Sequence, residues 1–131
     1  MVTVILETTF LIDLERELQR REEGPAHRFL QAHDRERVCI TWTIAGELAA
    51  GAGDHERARW EAVMAGFEVL PCGVEVAWAY ARAYRHLRAN GTLIGANDLW
   101  IAATARAHDQ AVVTRNVRDY NRVPGVRVLA Y

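Results

Sequence analysis

A chain of 131 residues, half of them hydrophobic, is sized for one domain with a substantial core, which excludes intrinsic disorder. Its net charge of -1 provides no overall basic field to pull it onto nucleic acid. All 16 basic residues are arginine, and the absence of lysine excludes P-loop phosphate contacts and Schiff-base chemistry. No apolar run approaches the roughly 20 residues that a membrane-crossing helix needs. The N-terminal apolar run lacks the basic lead and small-residue cleavage site of a secretory signal. Cys39 and Cys72 make neither a zinc set nor a disulfide framework, and they read as reduced thiols of a cytosolic protein.

In chain order, VTVIL (2–6) is expected to form a strand, and 10–22 a helix with Leu11, Leu14 and Leu18 on one side. Gly24-Pro25 punctuates the chain before a second helical piece, AHRFLQAH (26–33). RVCIT (37–41) reads as the second strand, followed by a short helix WTIAGELAAG with Thr43 as cap and Gly51 as stop. Asp54 is expected to cap a helix on which Trp60, Val63, Met64 and Phe67 recur at helical spacing.

EVL (68–70) reads as a third strand closed by Pro71. From Glu75 to Asn90 a longer helix is expected, with Ala77, Tyr80, Tyr84 and Leu87 inward and Arg82, Arg85 and Arg88 along another side; Gly91 stops it. Asn97 is expected to cap the helix DLWIAATARAH, and AVV (111–113) and VRVLA (126–130) supply the last two strands. Strands and helices alternate throughout, without a repeat, linker or low-complexity tract. The expectation is a single α/β domain over 1–131 with a mostly parallel central sheet covered by helices.

Parallel sheets bind ligands at the carboxyl ends of their strands. Glu7 lies at that edge of the first strand, and AVV runs directly into Thr114, Asn116 and Asp119. Asp98 begins a helix, and Glu47 sits inside an otherwise apolar one. Each residue has a structural alternative: Asp98 a helix start, Glu47 a solvated position, Asp119 a turn cap, Thr8 and Thr114 simple caps. Four carboxylates converging in one cleft would repel one another, at several kcal/mol each if buried unpaired. A divalent cation removes that conflict, and oxygen-only donors suit Mg²⁺ or Mn²⁺. Such a centre suits phosphodiester hydrolysis by a metal-activated water. The five histidines fall in no usable motif.

The segments VILETTFLIDL, GEL (46–48), NDLWIAATA (97–105) and VVTRNVRDYNRV, in that order and at those separations, resemble the PIN-domain nucleases, in particular the VapC-type toxins of toxin–antitoxin pairs. The resemblance covers nearly the whole chain and implies a three-layer α/β/α, metal-dependent endoribonuclease. It places Glu7 and Asp98 at the metal, with Glu47 and Asp119 completing a catalytic set of four acids. Thr8 and Thr114 fall on supporting hydroxyl positions, and Asn116 on the last element beside Asp119. It further implies an RNA substrate, a homodimer and a cognate antitoxin whose tail enters the acidic cleft.

One position departs from the family: Asp is usual where this chain has Glu7. The extra methylene moves the carboxylate by about 1.5 Å relative to an ion that wants oxygens at about 2.0–2.1 Å. Misplacement on that scale costs on the order of a hundredfold in rate, so a weak nuclease is expected. Glu7 reads either as a natural variant with a compensated site or as a substitution that tames a toxic protein, and the intact remainder of the motif favours the second. Arg115 and Arg118 are candidate phosphate contacts beside the site, as is Arg122, whereas Arg82, Arg85 and Arg88 fit a solvated helix face equally well. Two other functions compete: a non-catalytic PIN-fold module that binds protein or RNA through a decayed site, and a DNA-directed nuclease. The chain has none of the insertions that would extend a DNA channel.

Overall fold

The computed structural model describes residues 3–131, so Val2, expected to open the first strand, lies outside the described residues. Five strands form one sheet: β1 (Thr3–Leu6), β2 (Arg37–Thr41), β3 (Glu68–Leu70), β4 (Ala111–Val113) and β5 (Val128–Leu129). Their order is β3-β2-β1-β4-β5, and every pairing is parallel. The helices are α1 (Thr8–Arg20), α2 (Pro25–Ala32), α3 (Trp42–Ala50), α4 (Arg57–Met64), α5 (Val74–Ala89), α6 (Ala96–Ala107) and α7 (Val117–Tyr120). Among the described residues, no helix is long and apolar enough to cross a membrane.

The sheet is buried on both faces because successive strand side chains point to opposite sides. Val4, Leu6, Ala111 and Val113 pack with Phe10 of α1 and with Ala26 and Phe29 of α2. Ile5 and Val112 face the other way, among Ile44 of α3, Leu87 of α5 and Leu99, Ile101 and Ala102 of α6. Three layers result. The chain leaves β1 toward β2 but leaves β4 toward β5, so the two central strands part at their carboxyl ends. That divergence opens the crevice where an α/β sheet binds its ligand.

Several expected boundaries move, each for a local reason. Thr41, not Thr43, caps α3, its Oγ1 accepting from Ile44 N at 3.2 Å, so the strand's last residue is also the helix cap. Asp54 opens a short 3₁₀ turn (Asp54–Glu56) that precedes α4. Gly95, not Asn97, precedes α6, which puts Asp98 inside its first turn. On α5 the buried residues are Val76, Ala79, Ala83 and Leu87; Ala77 is exposed, and Tyr80 and Tyr84 are half-buried. The stop at Gly91 holds: its φ is 66°, and Thr92 N reaches back to Leu87 O at 2.9 Å. The final strand shrinks to two residues, and the four-residue α7 was not expected.

Candidate active site

Glu7 follows β1 directly and is 3% exposed. Its N–H continues the sheet to Val113 O (3.0 Å), and its side chain turns back to cap α1. Oε2 accepts three hydrogen bonds: from Thr9 N (3.1 Å), Thr9 Oγ1 (2.6 Å) and Thr114 Oγ1 (2.9 Å). Thr114, wholly buried at the end of β4, also accepts from Asn116 N at 2.9 Å. One carboxylate thus ties β1, α1 and the β4–α7 turn together.

The other three acids arrive from separate helices. Glu47 projects from α3, Asp98 from the first turn of α6, and Asp119 from α7. Burial raises the Glu47 carboxyl above its ordinary range; the nearby Thr8 hydroxyl eases this, and the charges of Glu7 and Asp98 add to it. Asp98 is raised by burial, eased by Tyr120, and raised further by Glu7 and Asp119. The four acids predicted from sequence therefore share one electrostatic neighbourhood, at the crevice between β1 and β4.

Their support differs. Asp98 Oδ1 accepts from Tyr120 OH at 3.2 Å, and Asp119 Oδ2 accepts from Asn116 Nδ2 at 3.1 Å. Arg122 lies 3.8 Å from Asp119. Glu47 Oε1 and Thr8 Oγ1 are buried and make no hydrogen bond of good geometry, although Thr8 is near enough to ease the Glu47 carboxyl. Such orphaned oxygens are uncommon in a folded protein and call for a physical reason. Among the described residues, no three or more His, Cys, Asp or Glu stand close enough to form a ready-made cation cage.

Sequence reasoning missed two residues here. Thr9, not Thr8, donates its hydroxyl to Glu7. Tyr120 is wholly buried, and burial with the charges of Glu7 and Asp98 pushes its phenol far above the ordinary range, so it stays a donor. The ETT run held Thr9 in plain view, but helix phase decides which of two adjacent hydroxyls meets the carboxylate. Arg115 is also engaged: its Nη1 meets Asp13 Oδ1 at 2.9 Å and Oδ2 at 3.2 Å, while its N–H donates to Thr9 Oγ1 at 3.1 Å. Tyr131 OH reaches the same Asp13 Oδ2 at 2.6 Å, its ring edge-on to Phe10. Arg118 is exposed.

A family profile described as PIN domain matches residues 4–126. Ribonuclease VapC1 of Rickettsia felis is 41% identical over 63 residues, covering 48% of this chain and 47% of that protein. The chain thus spans about half the length of that curated relative. The tRNA(fMet)-specific endonuclease VapC of Salmonella typhimurium is 31% identical over 97 residues, covering 70% of this chain and 74% of the relative. A chain in the crystal structure of DNA-bound VapBC from Salmonella typhimurium superposes with a TM-score of 0.81 at 27% identity, covering 99% of this chain and 98% of that one. With nearly its whole length under the family profile, the chain belongs to the PIN-domain family, in its VapC branch.

Proposed function

We propose that the chain, as a single PIN-like domain over 1–131, is a metal-dependent endoribonuclease and the toxin of a toxin–antitoxin pair. The observation that carries this reading is the buried Glu47 Oε1 without a hydrogen bond, on a carboxyl that the charges of Glu7 and Asp98 raise further. A hard divalent cation fits that donor set: Mg²⁺ keeps several waters and needs only one or two protein carboxylates, so a closed cage is unnecessary. Glu7 and Asp98 would hold Mg²⁺ or Mn²⁺, which when bound would lower the pKa of water and offset charge on the phosphate.

The remaining roles belong to the chain's own groups. Thr9 and Thr114 fix the Glu7 carboxylate, and Asn116 fixes that of Asp119. Glu47, raised by burial and lacking a donor at Oε1, suits accepting a proton from the attacking water. Arg118 is free to meet an RNA phosphate, whereas Arg115, tied to Asp13, serves first to hold the β4–α7 turn against α1. The VapBC likeness supports an antitoxin partner, and the family a homodimer; the composition suits the cytoplasm.

The test is cleavage of RNA and DNA oligonucleotides with Mg²⁺ or Mn²⁺ against chelator. RNA should be cut only with metal, and Glu7→Asp should speed cleavage by up to about a hundredfold. The three donors on Oε2 favour a compensated natural site, which would make that gain smaller. The rival is a non-catalytic binding module with a decayed site. It requires that Mn²⁺ neither stabilise the fold nor support cleavage in either form, and that result would overturn the nuclease reading.

A further inference from the structure

We propose that Tyr120 is a positioning residue for the cation site: its buried hydroxyl occupies Asp98 Oδ1, fixing the carboxylate so that Oδ2 is the oxygen left to meet the metal. The inference rests on the nuclease reading above and goes beyond it, because that reading gives Tyr120 no role.

The geometry is specific. Tyr120 is 0% exposed and packed in the core that also holds Leu99, Ile101, Val112 and Val123, so its ring position is set by apolar contacts. Its hydroxyl is the one polar group that ring carries, and it meets Asp98 at 3.2 Å across 22 residues of chain. A phenol surrounded by carboxylates can only donate, so it orients one oxygen and leaves the other without a rival donor of its own. The second oxygen lies on the Gly95 side, 4.0 Å from where a Cβ on that residue would stand. The backbone around Tyr120 is itself pinned: Val123 N donates to Tyr120 O at 3.1 Å, and Asn121 N to Val117 O at 2.9 Å. Phenylalanine would fill the same volume without the donor. The hydroxyl therefore serves Asp98 rather than the core.

The experiment is Mn²⁺ titration by calorimetry of the unaltered chain, Tyr120→Phe and the control Tyr80→Phe, alongside melting without metal. Partners that orient a metal ligand typically contribute 10–100-fold in affinity. Tyr120→Phe should weaken Mn²⁺ binding by about tenfold or more while the metal-free fold persists, and raised Mn²⁺ should restore cleavage. Tyr80→Phe should bind as the unaltered chain does. Equal affinity in Tyr120→Phe overturns the inference but leaves the nuclease reading standing; no Mn²⁺ binding by the unaltered chain overturns both. Should Tyr120→Phe prevent folding, Mg²⁺ titration of the unaltered chain should shift the Tyr120 ring resonances, and their constancy would overturn the inference.

Discussion

The two ends of α1 each present a carboxylate to the backbone, buried at Glu7 and partly buried at Glu17, in surroundings that differ. At the carboxyl end, Glu17 collects Gly24 N, Ala26 N, His27 N and His27 Nδ1 at 2.8–3.0 Å. Gly24 allows the approach, since a Cβ there would lie 2.5 Å from Glu17 Cδ. Burial would push Glu17 up, yet the donors of His27, Ala26 and Gly24 prevail and hold it at about 2, against an ordinary 4.5. At the amino end, Glu7 takes three donors on Oε2 alone, and its neighbours Glu47 and Asp98 are raised, Asp98 with a single donor in Tyr120. A carboxylate given all its donors stabilises the fold. A cluster denied them costs stability and is available for a cation.

The contrast can be broken at either end. Asp98→Asn should lower metal-dependent RNA cleavage by about a hundredfold or more, since even residues that merely orient ligands contribute 10–100-fold. The same change should raise the melting temperature without metal, because it removes one repelling charge. A fall in metal-free stability would show that the acids are not strained. Glu17→Ala should do the reverse. It strands three backbone donors at the start of α2 and should cost about 2–3 kcal/mol in denaturant unfolding, at roughly 1–3 kcal/mol for each buried group left unsatisfied and with part of the loss recovered by water. Cleavage per folded molecule should be unchanged.

Acidity sharpens the same comparison with a smaller effect. Glu17 is lowered on folding, so its contribution is fully present above 4.5 and is lost as pH falls toward 2. Glu47 and Asp98 are raised, so what they contribute is present below their ordinary values of 4.5 and 3.8 and is lost as pH rises through the raised ones. The stabilising effect of Asp98→Asn should therefore be greatest near neutrality and vanish below about pH 4, measured as denaturant midpoints without metal. A gain independent of pH would break the assignment.

Much of this was open to sequence reasoning, and the remainder was hidden for physical reasons. The strands RVCIT, EVL and AVV were placed residue for residue, because short apolar runs bounded by turns have few alternatives. The last strand was less sharply bounded, shrinking from the expected 126–130 to Val128–Leu129. Glu7 stood out because a carboxylate ending a buried strand is rare, whereas Glu47, Asp98 and Asp119 lie on helices and were named by the family motif. Helix phase was less legible: Ala77 for Val76 on α5 is an error of one residue, roughly 100° of rotation, and on α1 Thr9 joins Thr8 beside the acids. Tyr120 was invisible as a polar residue, since an aromatic beside an aspartate reads as core until its hydroxyl is seen to aim at Asp98. The pairing of Arg115 with Asp13 was hidden because the two lie 102 residues apart.

That separation along the chain has a consequence during synthesis. Glu7 obtains Thr114 only across 107 residues, through a sheet in which β1 must pair with β4. Until the ribosome has released β4 and the turn behind it, the first strand has its acid but no crevice to hold it. On the proposed function, the site would be incomplete for most of the chain's own translation, and a protein that covers it would find its target only as β4 joins β1.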